Sequence, residues 1–277
     1  MSKIELKLLT KLFGAQEAEA VPLVEQGADK ATILAETGCS LALRRVTLDI
    51  EEGEIFVVIG LSGSGKSTLI RHVNRLIDPT AGQVLVDGQD VLGLGAEALR
   101  DYRRRSVSMV FQGFGLMPHR SVLDNVAFGL LARGEDRRAA HEKAKGWIET
   151  VGLTGYEQVR PDGLSGGMRQ RVGLARALAV DTGILLMDEA FSALDPLTRA
   201  DMQDLLLDLQ ARLDKTVLFV THDIDEAVRL GNHIAVMRDG EVVQTGTPRE
   251  ILTHPKDDYV RRFVQVRSTL AKFGENP

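Results

Sequence analysis

The sequence contains a single cysteine, Cys39, so it can form neither an internal disulfide nor a multi-cysteine metal site. It also lacks any run of about 18 apolar residues, the length that a membrane-spanning helix requires. Its first seven residues place charges at alternate positions, whereas a secretory signal peptide needs an apolar core. These absences indicate a reducing compartment, and they predict that any membrane association depends on a partner.

An excess of positive charge is missing as well. The chain has 34 Lys and Arg residues against 39 Asp and Glu residues, which gives a formal net charge of -5. Nucleic-acid-binding domains usually carry a basic face, so this balance predicts no nucleic-acid partner. The 44% hydrophobic content over 277 residues is ordinary for a globular protein with a substantial core.

The sequence does contain a phosphate-binding pattern, G-x-x-x-x-G-K-[ST], between a predicted buried strand at residues 55–59 and a predicted helix at residues 69–76. Its glycines let successive backbone N–H groups face a triphosphate, and the helix N-terminus adds positive potential. Lys66 would reach the β- and γ-phosphates, and the Ser67 hydroxyl would ligate Mg²⁺. The residues predicted to bind the nucleotide here are Gly60, Ser62, Gly63, Ser64, Gly65, Lys66, Ser67 and Thr68.

Two further segments have a functional interpretation because the phosphate loop is in the same chain. The apolar strand at residues 184–187 ends in Asp188, predicted to hold Mg²⁺, and Glu189, predicted to orient or deprotonate the attacking water. Solvent-facing acids at a strand end are the alternative. The segment Leu164–Met168 precedes a helix predicted to begin near Arg169, and its serine and glycines suit an anion. In isolation that segment would be only a helix cap.

Taken in order, these motifs resemble the ATP-binding-cassette family. The phosphate loop, the signature Leu164–Met168, the acidic strand, Ser192–Asp195 and Thr221–Asp223 follow that family's order, although Met168 stands where the family usually has glutamine. The resemblance covers roughly residues 4–263. It implies an α/β fold, namely a P-loop NTPase cassette with a mostly parallel core sheet, an antiparallel β edge and an inserted helical subdomain.

The predicted domain organisation is one nucleotide-binding domain over residues 1–263. It includes a helical insertion at about residues 15–40 and a helical subdomain at about residues 113–175. Ile4, Leu6 and Leu8 alternate with charged residues, which predicts a half-exposed edge strand. Residues 264–277 are predicted to be a short tail without a regulatory domain pair, which argues against osmotic gating by such a pair.

The resemblance implies ATP and Mg²⁺ as cofactors and a head-to-tail dimer of two copies that sandwich two ATP molecules. In that arrangement the signature of one subunit grips the nucleotide on the phosphate loop of the other. His222 would contact the γ-phosphate, Asp195 would lie near the partner's nucleotide, and Gln112 would approach Mg²⁺. The residues that the resemblance adds to the catalytic and cofactor sites are Gln112, Ser165, Gly166, Gly167, Asp195 and His222.

The adenine-stacking residue is displaced in this sequence. In the family an aromatic residue near the first strand stacks on adenine, but Thr37-Gly38 stands at the usual distance before the phosphate loop. Phe13-Gly14 supplies the pair if residues 15–40 are an insertion, so Phe13 is predicted to stack on adenine. The alternative is that no aromatic residue stacks there.

Within the family, the sequence resembles bacterial importers of glycine betaine, proline betaine or choline. The resemblance rests on the helical insertion and on residues 60–65, 111–119 and 188–196. It implies an ATPase for osmoprotective uptake, peripheral at the cytoplasmic face of the inner membrane, with a membrane permease and indirectly a solute-binding protein as partners. The apolar loop Phe114–His119 is predicted to receive a permease helix, with local packing as the alternative. Other candidates are an ATPase for another small solute, a separate-chain exporter and a regulator without turnover.

Overall fold

A computed structural model describes residues 2–265. These residues divide into two compact units: residues 2–94 with 220–265 (the first unit) and residues 95–219 (the second unit). The strands are β1 Ser2–Phe13, β2 Ser40–Glu51, β3 Ile55–Gly60, β4 Ala81–Val86, β5 Gln89–Asp90, β6 Val107–Val110, β7 Ile184–Asp188, β8 Thr216–Thr221, β9 His233–Arg238 and β10 Glu241–Gly246. The helices are α1 Glu17–Glu25, α2 Lys30–Thr37, α3 Lys66–Val73, α4 Ala96–Arg105, α5 Val122–Ala132, α6 Arg137–Thr150, α7 Gly166–Ala179, α8 Pro196–Leu213, α9 Ile224–Leu230 and α10 Pro248–Thr253.

The first unit contains a four-stranded sheet in the order β2-β1-β4-β5. β1 pairs antiparallel with both β2 and β4, so the prediction of an edge strand is wrong. The alternation of Ile4 and Leu6 with charged residues reflects the two faces of the sheet, and it carries no information about how many neighbours a strand has. At Leu8 the backbone turns to a positive φ of 51°, which leaves Leu8 50% exposed and buries Leu9 instead.

Two helices, α1 and α2, lie between β1 and β2 in the chain and pack on them. Asp29 caps α2 by accepting a hydrogen bond from the Thr32 N–H at 2.7 Å. The Arg44 guanidinium on β2 donates to the carbonyl oxygens of Val24 and Ala28, at 3.2 and 2.5 Å. The helical character predicted for this segment is confirmed, whereas its status as an insertion stays a prediction. The buried residues of this small core are Leu12, Ala20, Val24, Ile33, Cys39 and Leu41.

A second group of strands in the first unit leads to the phosphate loop. The wholly buried β3 pairs parallel with β9, as expected for a continuous apolar run, and β9 pairs antiparallel with β10. The turn at Asp239 and Gly240 has a positive φ at both residues, the conformation that a two-residue hairpin turn requires. Residues 258–265 are helical, and the rest of the predicted tail lies outside the described residues.

In the second unit, β6 pairs parallel with β7, and three helices, α5, α6 and α7, share one apolar core. The Ser121 hydroxyl caps α5 by accepting a hydrogen bond from the Asp124 N–H at 3.1 Å. These helices fall where a helical subdomain is predicted, although the subdomain's boundaries stay a prediction. Across residues 2–265, no helix combines the length and the apolar character needed to cross a membrane. The buried core residues are Val122, Leu123, Val126, Ala127, Leu130, Ala140, Ala144, Ile148, Val151, Leu153, Leu164, Val172, Ala175 and Ala179.

Candidate functional site

The segment Gly60–Thr68 forms a tight turn between β3 and α3. Gly63 and Gly65 have φ values of 79° and 100°, a conformation that residues with a Cβ rarely adopt. A Cβ on Gly65 would lie 2.6 Å from the Ala42 carbonyl oxygen of β2. Because Gly65 turns the chain, α3 begins at Lys66, three residues before the predicted start. The helix N-terminus therefore opens directly onto the loop.

The side chains of the loop suit a phosphate group. Lys66 is buried, and its Nζ donates to the carbonyl oxygens of Gly60 and Leu61 at 2.8 and 3.0 Å. The buried Ser64 Oγ has no hydrogen-bond partner among the described residues, which marks a polar group that an anion could satisfy. Ser62 and Gly63 are exposed, and Ser67 and Thr68 are half-buried in the first turn of α3. The loop thus combines the N-terminus of α3 with one buried cation and one unsatisfied hydroxyl.

The loop is supported by residues that the sequence motifs do not include. Gly240 in the β9–β10 turn donates its N–H to the Ser64 carbonyl at 3.1 Å. The Tyr259 hydroxyl accepts from the Leu61 N–H at 3.4 Å and donates to the Met237 carbonyl at 3.1 Å. Burial raises the pKa of Tyr259, which keeps the phenol protonated and able to donate. Tyr259 lies almost 200 positions from the loop in sequence, so no local pattern could assign it this contact.

Phe13 lies close to the phosphate loop in the first unit. It is 42% exposed at the end of β1 and stands opposite Ser40 of β2. Two residues further along β2, Ala42 makes the close approach to Gly65. Because a strand rises about 3.3 Å per residue, Ser40 and Ala42 lie about 7 Å apart along β2. An exposed aromatic ring and the phosphate loop therefore border the same short stretch of strand.

His222 is exposed in the short link between β8 and α9. The link is braced on both sides of this residue. The Thr221 hydroxyl donates to the buried Glu226 carboxylate at 2.5 Å and accepts from the Asp223 N–H at 3.0 Å. Asp223 in turn caps α9 by accepting from the Asp225 N–H at 2.8 Å. This arrangement fixes the backbone of His222, while its ring stays accessible to a ligand.

Asp188, the predicted Mg²⁺ ligand, and Glu189, the predicted catalytic carboxylate, lie at the end of β7 in the second unit. Asp188 is buried, whereas Glu189 is half-buried and has a positive φ of 45°. A non-glycine residue in that conformation costs on the order of 1–3 kcal/mol, and such residues cluster at functional sites. Gln112 Nε2 donates to Glu189 Oε2 at 3.1 Å, so the structure brings two predicted catalytic residues together. The Ser192 hydroxyl donates to the Glu189 carbonyl at 2.9 Å and holds the turn.

The signature segment forms a second capped helix start. The Ser165 Oγ accepts a hydrogen bond from the Met168 N–H at 3.3 Å, so α7 begins at Gly166 rather than near Arg169 as predicted. A Cβ on Gly167 would lie 2.4 Å from Thr198 Cγ2. Thr198 also donates its N–H to Asp195, the cap of α8, at 3.1 Å. Hydrogen bonds from the Thr198 side chain and backbone lower the pKa of Asp195.

The donor set of these segments fits magnesium better than a transition metal. Within residues 2–265, no group of three or more His, Cys, Asp and Glu side chains could hold a metal ion. Mg²⁺ usually takes only one or two ligands from the protein and completes its shell with water and phosphate oxygens. The Ser67 hydroxyl and the Asp188 carboxylate are hard oxygen donors of the required kind. Their roles as metal ligands stay a prediction.

Together, an amide-lined loop around a buried lysine, a strand ending in two carboxylates and a second glycine-rich helix start define a P-loop nucleotide-binding cassette. Residues 43–192 match the family described as ABC transporter, and the chain belongs to that family, as its ATPase cassette. The resemblance found in the sequence is thereby confirmed, and so is the α/β cassette fold.

The similar proteins are transport ATPase subunits and solved cassettes. The chain is 54% identical over 265 residues to the glycine betaine/carnitine transport ATP-binding protein GbuA of Listeria monocytogenes, covering 96% of this chain and 67% of that protein. It is 56% identical over 261 residues to the glycine betaine/proline betaine transport system ATP-binding protein ProV of Escherichia coli, covering 94% and 65%. The chain thus spans about two thirds of the length of these relatives.

Two solved structures of one bacterial ABC transporter cassette are also similar. The first is described as dimeric and has 34% identity, with a TM-score of 0.75 over 89% of this chain and 99% of that one. The second is described as a post-hydrolysis state bound to ADP and Pi, with 33% identity and the same TM-score.

Proposed function

We propose that this chain is the ATP-hydrolysing subunit of a bacterial importer for a quaternary-ammonium compatible solute such as glycine betaine, proline betaine or choline. The observation that carries the proposal is identity of 54–56% to two betaine transport subunits over 94–96% of the chain. A methionine import ATP-binding protein of Staphylococcus haemolyticus is 45% identical over only 81% of the chain. A trimethylamine N-oxide transport subunit of Ruegeria pomeroyi, at 48% over 95%, makes that related amine oxide the second candidate solute.

The residues divide the work of ATP hydrolysis between binding and chemistry. Lys66 and the amides of the phosphate loop would hold the phosphates, and Ser67 and Asp188 would hold Mg²⁺, which supplies positive charge to the phosphate oxygens when bound. Glu189 accepts a proton from the attacking water. Gln112, which donates a hydrogen bond to Glu189 at 3.1 Å, orients the Glu189 carboxylate. His222 contacts the γ-phosphate from its braced link. These roles suit the geometry within each unit.

A second copy of the chain completes the site in this proposal. Ser165, Gly166 and Gly167 present open N–H groups at the start of α7, and two helix N-termini converging on one triphosphate neutralise more charge than one. Leu197, two residues after the Asp195 cap of α8, is 81% exposed and is a residue that a partner subunit would cover. The description of a related cassette as a dimer supports this arrangement.

The permease contact is assigned to the loop Phe114–His119, which places the protein peripherally at the cytoplasmic face of the inner membrane. The Arg176 guanidinium donates to the carbonyls of Phe114 and Gly115, and Asn125 accepts from the Met117 N–H at 2.8 Å. Leu116 packs partly against the helical core, while Met117 is half-buried outside it. The loop is thus held rigidly, and a rigid loop can transmit force to a permease helix. A solute-binding protein would deliver the solute to that permease.

The proposal can be tested by measuring solute uptake in the bacterium that carries the gene. We expect deletion of the gene to abolish high-affinity uptake of labelled glycine betaine, proline betaine or choline. Uptake of methionine should be unchanged. The wild-type gene should restore the lost uptake, and the Lys66→Ala variant, produced at the same level, should not. Loss of trimethylamine N-oxide uptake alone would favour the second solute, and loss of methionine uptake alone would overturn the proposal.

A further inference from the structure

Lys11 is an unusual residue for the middle of a sheet, because its charged side chain is only 9% exposed. Its Nζ lies 2.7 Å from Glu17 Oε2 and 4.9 Å from the centre of the Phe13 ring. Lys11 and Phe13 are two residues apart on β1, so their side chains share one face of the sheet. The ammonium therefore covers one face of the ring that the sequence predicts to stack on adenine.

Glu17, the first residue of α1, fixes this ammonium from the other side. The same Oε2 that contacts Lys11 also accepts a hydrogen bond from the Thr80 hydroxyl at 2.9 Å. Partial burial alone would raise the pKa of Glu17, but the hydrogen bonds from Lys11 and Thr80 and the Lys11 charge hold it below its usual value. The carboxylate is thus ionised at neutral pH. It joins α1, β1 and the residue that precedes β4.

We propose that Glu17 is a positioning residue for ATP: it holds the Lys11 ammonium against one face of the Phe13 ring, so that the opposite face is fixed and electronically suited to stack on adenine. A cation on one face offsets the negative charge of the ring's π system, which lowers its repulsion with a stacked base. A ring held in place also loses less conformational freedom when the base binds. This inference rests on ATP binding by the cassette and on Phe13 as the stacking residue.

A purely structural role for the ion pair is the competing explanation, since the pair also ties α1 to β1. The two explanations differ in what they predict for ligands without a base. A positioning role through Phe13 affects only ligands that carry adenine, whereas a scaffold role alters the phosphate loop, β2 and the whole nucleotide site together. Inorganic tripolyphosphate is therefore the probe that separates them.

The experiment measures the affinity of the full chain for MgADP and for inorganic tripolyphosphate by calorimetry or competition. The variants are Lys11→Met, which keeps the length of the stem, Glu17→Gln, which keeps the shape, and Lys11→Arg, which keeps a cation over the ring. Glu19→Gln, an exposed position on the same helix, is the matched control. Thermal melting of each variant verifies that it is folded.

We expect Lys11→Met and Glu17→Gln to bind MgADP about threefold to tenfold more weakly, with tripolyphosphate affinity unchanged. Lys11→Arg and Glu19→Gln should bind both ligands as the wild type does. In a Phe13→Ala background, the Lys11 and Glu17 changes should add no further loss. The positioning role is overturned if the Lys11 and Glu17 variants lose affinity equally for both ligands. It is also overturned if they bind MgADP normally although Phe13→Ala weakens MgADP binding; the stacking role of Phe13 would survive either result. An unchanged MgADP affinity in Phe13→Ala removes the stacking assignment, and neither result alters the uptake test.

Discussion

At the scale of single residues, Glu189, the proposed base, adopts a backbone conformation that costs free energy. Its positive φ ends the extended backbone of β7, the Ser192 hydroxyl holds its carbonyl, and the Gln112 side chain donates to its carboxylate. A strained residue persists only where its surroundings over-determine it. The turn after Asp188 is therefore built to aim one carboxylate, which is what a general base requires.

We expect Glu189→Gln to keep ATP binding and to lower turnover by about 10²–10⁴-fold, because the amide fills the same volume but cannot accept a proton. With hydrolysis blocked, the variant should also accumulate as an ATP-bound dimer. Steady-state phosphate release and size-exclusion chromatography with MgATP measure the two effects. Wild-type phosphate release by this variant would remove Glu189 from the role of base.

At the scale of elements, α3 joins the phosphate loop to the core. It begins with Lys66 and buries His72 completely. The His72 Nδ1 lies 2.7 Å from the Ile77 carbonyl, which can only accept, so Nδ1 carries the hydrogen. The buried Nε2 has no partner among the described residues, and burial lowers the pKa of His72. Burial therefore disfavours a charged His72 in the folded protein.

This burial predicts a loss of stability in acid. The unfolded chain binds a proton at His72 below a pH of 6.5, whereas the folded protein does so only at a lower pH. The stabilisation is therefore complete above that pH and is lost as the pH falls toward the folded pKa, by at most about 1.4 kcal/mol per pH unit. We expect wild type to lose more unfolding free energy than His72→Gln between a pH of about 7.5 and 5.5. Denaturant titrations measure this difference, and equal losses in both proteins would contradict it.

The elements also show which features local sequence patterns can predict. The phosphate loop, the β9–β10 hairpin and the helices of the second unit follow from glycine positions and apolar spacing, which act over a few residues. The neighbours of β1 and the contact of Tyr259 with Leu61 were not predictable, because pairing between distant segments leaves no local signal. The start of α3 was misplaced because Gly65, not the first apolar residue, sets it.

At the scale of the whole molecule, coupling to a permease would depend on the loop Phe114–His119. Its two apolar side chains, those of Leu116 and Met117, lie in different surroundings. Leu116 packs against the helical core of the second unit, whereas Met117 is half-buried without joining that core. The local-packing interpretation therefore applies to Leu116, and Met117 is the better probe of a permease contact.

We expect Met117→Asp to abolish betaine uptake in the host while the ATPase activity and the melting temperature of the isolated chain stay near wild type. Leu116→Asp should instead lower the melting temperature, because it places a charge against an apolar core. Uptake assays and thermal melts of the two variants give the comparison. Normal uptake by a folded Met117→Asp protein would exclude this side chain from the permease contact.

The closeness of Gly65 and Gly240 to a single oxygen, the Ala42 carbonyl, has a consequence for turnover. A methyl group on either glycine would lie 2.6 Å from that oxygen, so β2, the phosphate loop and the β9–β10 turn are closely packed at this point. We therefore expect departure of spent nucleotide to leave the pocket's shape intact. The next ATP would then bind to a preformed site, without a rearrangement of the backbone.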